Sequence, residues 1–243
     1  MTNSSRRVRN GFSVLLLLLP GLSWAQNRPP IVEQMAKEYG IDSWGQIEGI
    51  RYTWNAEIFG LNLSHQWEWH PKTDTVTFEG KDKDGKTMKV TYQRSQLSSQ
   101  DEAVKSQIDP AFINDQYWLI FPFHVIWDGG STITDEGMQK LPIGTGSARR
   151  VVVKYAPAVG GYTPGDTWTL YVGNDNRVQQ MIYHRGGPKK PSVVIVKWID
   201  HKRAGPLLFA MDHRGTADEK PLRIWFSGIS VKVTGSDNWM DAQ

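Results

Sequence analysis

The stretch DPAFINDQYWLIFPF, from Asp109 to Phe123, decides the fold of this chain. Asp109 is a favourable N-cap and Pro110 suits the first helical position, so the pattern predicts that a helix begins here. Pro122 disfavours helical geometry at the residue before it and predicts that the helix ends at Phe121. On a helical wheel the large apolar side chains point in nearly every direction. Such a helix must be surrounded by protein, because roughly a dozen residues are too few to cross a membrane.

Alternating apolar residues before and after this helix predict the structure that surrounds it. Residues 50–58 and 61–69 place an apolar side chain at every second position, with a turn at Gly60 between them. A short helix is predicted from Ile31 to Tyr39, with Gly40 as its stop. Further strands are predicted at 76–78, 88–92, and about 148–156, 166–173, 177–185, 192–200, 206–213 and 221–234.

The last predicted strands differ from the first, because apolar residues occupy both of their faces. Strands 192–200 and 221–234 show this pattern, which predicts cover on both sides. The expected fold class is therefore mainly β (α+β). We expect one strongly curved antiparallel sheet that forms an unclosed barrel, with short helices as its lid.

The first 25 residues have the features of a secretory signal peptide. Three arginines precede an apolar run at residues 12–19, and Ser23-Trp24-Ala25 supplies small residues for cleavage after Ala25. The pattern favours the general export route, although Ser5-Arg6-Arg7 leaves the twin-arginine route open. We expect the remaining residues, 26–243, to form a single domain in the periplasm, neither spanning a membrane nor forming an oligomer.

Charge and cysteine content narrow the choice of partners. The signal contains three of the 28 basic residues and none of the 25 acidic ones, so 25 of each remain after its removal. A nucleic acid or an anionic membrane surface is therefore not an expected partner. The absence of cysteine excludes disulfides, a thiolate nucleophile and a lipidated cysteine, and in an exported chain it is typical of a bacterial periplasm.

Three segments carry a resemblance to a known group of proteins: Trp67–Asp74, Phe112–Phe123 and Thr163–Asp166. The chain resembles the bacterial lipoprotein-localisation factors, the LolA/LolB-like superfamily, and within it a poorly characterised exported group. The resemblance implies an unclosed barrel whose hydrophobic cavity, lidded by helices, holds an acyl chain or a lipidated protein. It also implies a buried arginine that holds the lid, a role for which Arg51 is the candidate in the early strands.

The aromatic and polar residues around the predicted helix allow two interpretations each. Ten tryptophans remain in residues 26–243, and they either fill the core or line a cavity for an apolar ligand. Asn114 and Asp115 interrupt the apolar helix, where buried polar groups need partners. They either tie the helix to its neighbours or lie at the cavity mouth. His65, on an apolar strand face, is interpreted as a core histidine with a satisfied ring.

Catalytic and metal-binding patterns are weak. The six histidines are scattered and fit no zinc motif, and no nucleophile-elbow motif occurs, so we expect neither a metal nor a cofactor. An alternative function is a cell-envelope hydrolase that uses Asp115, His124 and Asp128 as acids and bases. Another is a ligand-free periplasmic scaffold that binds a protein at its sheet edge.

The favoured prediction is a non-enzymatic binding or carrier protein for an apolar or lipidated ligand. The residues expected to line the cavity or to form the lid are Arg51, Trp54, Trp67, Trp69, Phe112, Asn114, Asp115, Tyr117, Trp118 and Phe121.

Overall fold

A computed structural model describes residues 28–81, 85–159, 162–187 and 190–243. The predicted signal peptide and its cleavage site therefore lie outside the described residues. The strands are β1 (Ile47–Ile58), β2 (Leu61–His70), β3 (Thr75–Lys81), β4 (Thr87–Gln93), β5 (Ser131–Lys140), β6 (Ser147–Tyr155), β7 (Thr167–Val172), β8 (Val178–His184), β9 (Val193–Ala204), β10 (Leu207–Ala217), β11 (Lys220–Val233) and β12 (Met240–Asp241). The helices are α1 (Pro30–Tyr39) and α2 (Asp109–Trp127), with short 3₁₀ segments at Ile41–Gln46 and Arg94–Ser99 and a π-helical turn at Val104–Ile108.

All twelve strands belong to one antiparallel sheet. Eleven follow the order β4-β3-β2-β1-β11-β10-β9-β8-β7-β6-β5, and β12 pairs with β11 beside this path. Within the described residues the two edge strands, β4 and β5, do not pair with each other, so the sheet remains open. This architecture confirms the predicted fold class.

The sheet curves around α2, as contacts from a single helical turn demonstrate. Asp115 accepts a hydrogen bond from Trp67 on β2, whereas Trp118 packs against Trp168 on β7 and His213 on β10. Five strands separate β2 from β7 in the sheet order. In a flat sheet these two strands would lie about 29 Å apart at the usual spacing of about 4.8 Å, beyond the reach of one turn of helix.

Helix α1 agrees with its prediction. Its buried face consists of Ile31, Val32, Met35, Ala36 and Tyr39, and Gly40 ends it in the left-handed conformation with φ 98°. Glycine adopts this conformation without the steric cost that a Cβ atom brings.

Helix α2 differs from its prediction at both ends. Asp109 has helical backbone angles and accepts side-chain hydrogen bonds from β4 and its following turn, so it is not the N-cap. The helix also passes Pro122 and continues to Trp127, with a kink at Ile120, where φ is −131° and ψ is 31°. A proline ring clashes with the carbonyl four residues earlier in a regular helix. The backbone at Ile120 is not helical, so the regular helix is interrupted before Pro122. Pro122 therefore lies near the start of a second helical segment, where its ring does not meet that carbonyl.

The burial of α2 confirms that it is surrounded. Fourteen of its nineteen residues are buried, on every side of the helix. No helix among the described ranges combines the length and apolar character that a membrane span needs.

Two strands were missed by the sequence patterns. Strand β5 contains only Ile133 and Met138 as large apolar residues, and its pairing with β6 shifts register between Asp135 and Met138. Its alternation is therefore weak, as is usual for an edge strand with a bulge. Strand β12 is only two residues long.

The prediction of cover on both faces of the last strands holds only near the end of β11, where the consecutive residues 229–231 are all buried. Along β9 and the first half of β11 the outer face is half-buried or exposed. On β11, Ile224 and Phe226 are buried on the concave face, whereas Trp225 is half-buried on the convex face. The Arg223 guanidinium covers the Trp225 ring at 4.6 Å from its centroid. A cationic side chain therefore replaces the expected second layer at this position.

Candidate functional site: an apolar cavity beside helix α2

A cavity of about 660 Å³ lies between the first part of α2 and the concave face of the sheet. Its walls come from α2, β1, β2, β7, β8, β9 and β11, and from the segments that precede and follow β7 and β8. The lining residues are Trp54, Ala56, Ile58, Leu63, Asp109, Pro110, Ile113, Asn114, Tyr117, Trp118, Tyr162, Thr163, Asp166, Trp168, Tyr183, Arg185, Val194, Leu222 and Ile224.

Only part of the predicted set borders this cavity. Four of the ten residues line it: Trp54, Asn114, Tyr117 and Trp118. Phe121 stacks behind the wall on Trp168, with ring centroids 4.4 Å apart. The other five residues lie elsewhere, either in the packed core or on the outer surface.

Trp67, Trp69 and Phe112 form a packed aromatic cluster on the other side of α2. The Phe112 ring contacts both tryptophans, with centroid distances of 5.3 Å and 5.6 Å. Both tryptophans are buried, and the chain of rings continues from Trp69 to Trp44. In this half of the concavity, the aromatic residues fill the core.

Asp115 anchors the middle of α2 to β2. Its carboxylate is fully buried and lies 2.7 Å from His65 Nδ1, while Trp67 Nε1 donates to it at 2.9 Å. The neighbouring Asn114 amide donates to the second oxygen at 3.1 Å. Burial raises the pKa of Asp115, although these hydrogen bonds favour its charged form. Three donors therefore compensate a carboxylate that would be expensive to bury alone.

His65 has the hydrogen-bond partner that was expected of it, but it is half-buried rather than in the core, because its side chain remains 23% exposed. One face of its ring stacks on Trp54 at 5.1 Å, and its Nδ1 atom is bonded to Asp115. Since Trp54 lines the cavity, this stack connects the helix anchor directly to the cavity wall.

Arg94, rather than Arg51, is the arginine that holds the start of α2. Arg94 Nε donates to Asp109 at 2.8 Å, and Tyr92 donates to the same oxygen at 3.0 Å. Arg51 lies on the outer face of β1, exposed, paired with Glu68 and stacked on Trp239. The predicted role of Arg51 is therefore wrong, because alternation along β1 directs its side chain away from α2.

The proposed acid–base set is divided between two places. Asp128, at the end of α2, accepts hydrogen bonds from Tyr117 at 2.6 Å and Tyr155 at 2.8 Å, and lies 3.2 Å from His124 Nδ1. Burial favours a higher pKa for Asp128, but these hydrogen bonds outweigh it and lower the pKa. Asp115 pairs instead with His65, and the helix places it about 13 Å from His124 along its axis at 1.5 Å per residue.

His213 lies beneath Trp118 at the floor of the concave face. Its ring is fully buried against Trp198 and Phe226, with centroid distances of 4.5 Å and 5.7 Å. Neither ring nitrogen has a hydrogen-bond partner among the described residues. Burial lowers the pKa of His213 to about 3, so the ring is neutral in the folded protein at physiological pH.

Sequence patterns missed the half of the cavity formed by β7, β8 and the segments next to them. Trp168, Tyr183 and Arg185 come from this region, and alternation along the predicted strand 166–173 was the signal for Trp168. Nothing local to the chain indicates that these strands face α2, because the contact depends on the curvature of the whole sheet. Among the described residues, no cluster of histidine, aspartate and glutamate could hold a metal ion.

We expect Asp115→Ala to lower the free energy of unfolding by about 3 kcal/mol, because it leaves the His65 and Trp67 donors buried without their acceptor. Gln107→Ala is the matched control, since Gln107 is exposed on the helical turn before α2 and does not contact Asp115. Its expected loss is below about 1 kcal/mol. Urea titrations followed by circular dichroism at pH 7 measure both values. Equal losses in the two variants would contradict the assignment of Asp115 as the anchor.

His213 makes the stability pH-dependent in a defined direction. Its pKa is about 3 when folded, against an ordinary value of 6.5, so unfolding takes up a proton between these values. Stability contributed by His213 is therefore lost as the pH falls, by about 2 kcal/mol between pH 7 and pH 5. We expect His213→Phe to remove this component, whereas His184→Gln, at an exposed histidine, retains it. The comparison is between free energies of unfolding measured at pH 7 and at pH 5. An equal pH dependence in His213→Phe and in the unaltered protein would contradict the interpretation.

Comparison with known proteins gives distant structural similarities only. No family model and no curated protein matches the chain. A DUF1329 family protein from Desulfovibrio piger is similar with a TM-score of 0.45 and 8% identity, covering 86% of this chain and 94% of that one. An outer membrane lipoprotein-sorting protein domain from Vibrio parahaemolyticus has a TM-score of 0.44 and 8% identity, covering 85% and 94%.

The lipoprotein LppX from Mycobacterium tuberculosis is similar with a TM-score of 0.31 and 8% identity, covering 86% of this chain and 98% of that one. A lipoprotein-sorting protein domain is thus among the similar structures. At this distance the similarity transfers no function, and the site of this chain is defined by its own residues.

Proposed function

We propose that this chain is a non-enzymatic carrier that binds an apolar or lipidated ligand in the cavity beside α2. The observation that carries the proposal is the cavity itself, about 660 Å³ between a buried helix and a curved sheet. Small-molecule sites have volumes of roughly 300–1,000 Å³ and are lined mainly by apolar and aromatic side chains. The walls here have this composition, with Trp54, Trp118 and Trp168 among them.

Burial of acyl surface supplies the binding energy. Each methylene group removed from water contributes about 0.8 kcal/mol, so ten of them contribute about 8 kcal/mol before the cost of association. The helix anchors at Asp109 and Asp115 determine how the cavity opens, because the segment between them forms one wall. Movement of α2 against the sheet is the proposed route of ligand entry.

The cavity continues toward an exposed apolar hairpin. Ile58 and Leu63 line it, and the turn between them carries Phe59 and Leu61, which are 52% and 60% exposed. Large apolar side chains at the rim of a cavity are typical of a site that receives an apolar ligand. This feature supports the carrier over a scaffold without a ligand.

The hydrolase alternative has less support. Both oxygens of Asp128 already accept hydrogen bonds, and Asp115 is committed to His65 and Trp67. An acid–base pair that acts together must reach a common reacting atom. We therefore assign Asp115 and Asp128 structural roles in the carrier.

The sequence supplies the proposed cellular context. The signal-peptide pattern in residues 1–25 supports export to the periplasm and a mature chain that begins after Ala25. The single sheet, which contains strands from Ile47 to Asp241, supports one domain over residues 26–243. The proposed partner is a lipid, an acyl chain or a lipidated protein, bound by a monomer without a cofactor.

Two measurements test the carrier. Native mass spectrometry of protein purified without detergent is expected to detect a co-purified lipid adduct. The uncharged fluorescent probe N-phenyl-1-naphthylamine is expected to bind, and Leu63→Asp weakens its binding about tenfold, since the carboxylate disrupts about 1.5 kcal/mol of apolar burial. Ser64→Asp is the matched control, on the same strand but on its opposite face and outside the cavity lining. We expect it to change binding less than twofold.

Folded protein that carries no adduct and does not bind the probe would overturn the proposal. Equal weakening by Leu63→Asp and Ser64→Asp would place the probe outside this cavity. Thermal unfolding of both variants verifies that the comparison concerns folded proteins.

A further inference from the structure

The geometry points to an anionic amphiphile as the ligand class, with its acidic headgroup at Arg185 and its acyl chain in the cavity. This inference rests on the proposed function and specifies the polar end of the ligand. Its basis is that three charged residues line the cavity, Asp109, Asp166 and Arg185. Both carboxylates have close hydrogen-bond donors, whereas Arg185 has no carboxylate in ion-pair contact.

Both carboxylates are already committed. Asp109 accepts hydrogen bonds from Arg94 and Tyr92, with distances of 2.8 Å and 3.0 Å. Asp166 accepts one from Tyr183 at 3.1 Å and one from the Gly186 amide at 2.8 Å. Neither acid therefore requires a cationic ligand.

Arg185 interacts with the neutral Tyr183 hydroxyl and, at longer range, with Asp218. Among the described residues, no carboxylate lies within ion-pair distance of its guanidinium. Its side chain is exposed at the cavity and close to Tyr183. A guanidinium presents donors in a planar fork that matches a carboxylate or a phosphate. Arg185 is thus an accessible cationic side chain of the cavity without a carboxylate in ion-pair contact.

The backbone around Arg185 is fixed by close contacts. Its amide donates to the Ser192 carbonyl at 2.9 Å, and the next amide, at Gly186, donates to Asp166. A Cβ atom at Gly186 would overlap the Gly165 carbonyl oxygen, so the two turns lie backbone against backbone. This packing fixes the position of the Arg185 backbone at the cavity mouth.

Neighbouring charges reinforce the positive character of this rim. In the described part of this loop, residues 185–187 and 190, the charged residues are Arg185 and Lys190. Asp218, which both basic residues influence electrostatically, accepts hydrogen bonds from Ser192 Oγ and the Val193 amide. Its charge is therefore partly compensated, and Arg185 and Lys190 favour an anion at the mouth.

Chain-matched ligands test the inference. Dodecanoate, dodecyl phosphate, dodecanol and dodecylammonium compete against N-phenyl-1-naphthylamine at pH 7.5, each below its micellar concentration. We expect the two anions to bind at least fivefold more tightly than dodecanol, and dodecylammonium to bind more weakly than dodecanol. Arg185→Gln reduces the preference for anions over dodecanol to less than twofold, while Arg185→Lys retains most of it. Inorganic phosphate is tested by itself as an anion without an acyl chain. We expect it not to compete, because the acyl chain is needed to hold the headgroup at Arg185.

Lys190→Gln is the control for bulk charge, since it removes one positive charge from the same loop. It is expected to leave at least half of the anion preference, and a loss equal to that of Arg185→Gln would overturn the assignment to Arg185. Equal binding of dodecanoate and dodecanol by the unaltered protein would overturn the inference but leave the carrier intact. Failure of every amphiphile to compete would instead overturn the carrier itself. If inorganic phosphate competes by itself, the ligand class is a free anion and not an amphiphile.

Discussion

The buried carboxylate of Asp115 is the constraint on which the position of α2 depends. It lies in the middle of a helix that is apolar on every side, where a free charge would be costly, and its acceptor atoms are satisfied by His65, Trp67 and Asn114. Two of these donors belong to β2, so the helix can lie only where that strand presents them. The sheet then has to curve for the opposite side of the same helical turn to reach β7 and β10.

This placement divides the concave side of the sheet into two parts. Toward β2 and β3, Phe112, Trp67 and Trp69 interlock and leave a packed aromatic core. Toward β7, β9 and β11, the helix does not fill the space, and the cavity remains. One helix therefore has both a structural and a functional face, which explains why its sequence is apolar all round.

The fold was predictable from the sequence to a greater extent than the site. Periodic apolar residues located ten of the twelve strands and the buried face of α1, because burial on one face of a regular element produces a periodic pattern in the sequence. The weakly apolar edge strand β5 and the two-residue strand β12 produce no such pattern. Asp115 was recognised as a polar group in need of partners, but its pairing with His65 spans fifty residues. The role predicted for Arg51 was wrong for the same reason. The arginine that holds α2 is identified by the tertiary contact between Arg94 and Asp109, and no local pattern in the sequence indicates that contact.

Photolabelling with a diazirine-bearing dodecanol tests the central claim most directly, because β11 presents adjacent residues to opposite sides of the sheet. Ile224 and Leu222 line the cavity, whereas Trp225 lies on the convex face. After irradiation and peptide sequencing by mass spectrometry, we expect label on Leu222 or Ile224, with excess unlabelled dodecanol removing it. Label on Trp225 without label on those two residues would contradict a ligand site between α2 and the curved sheet.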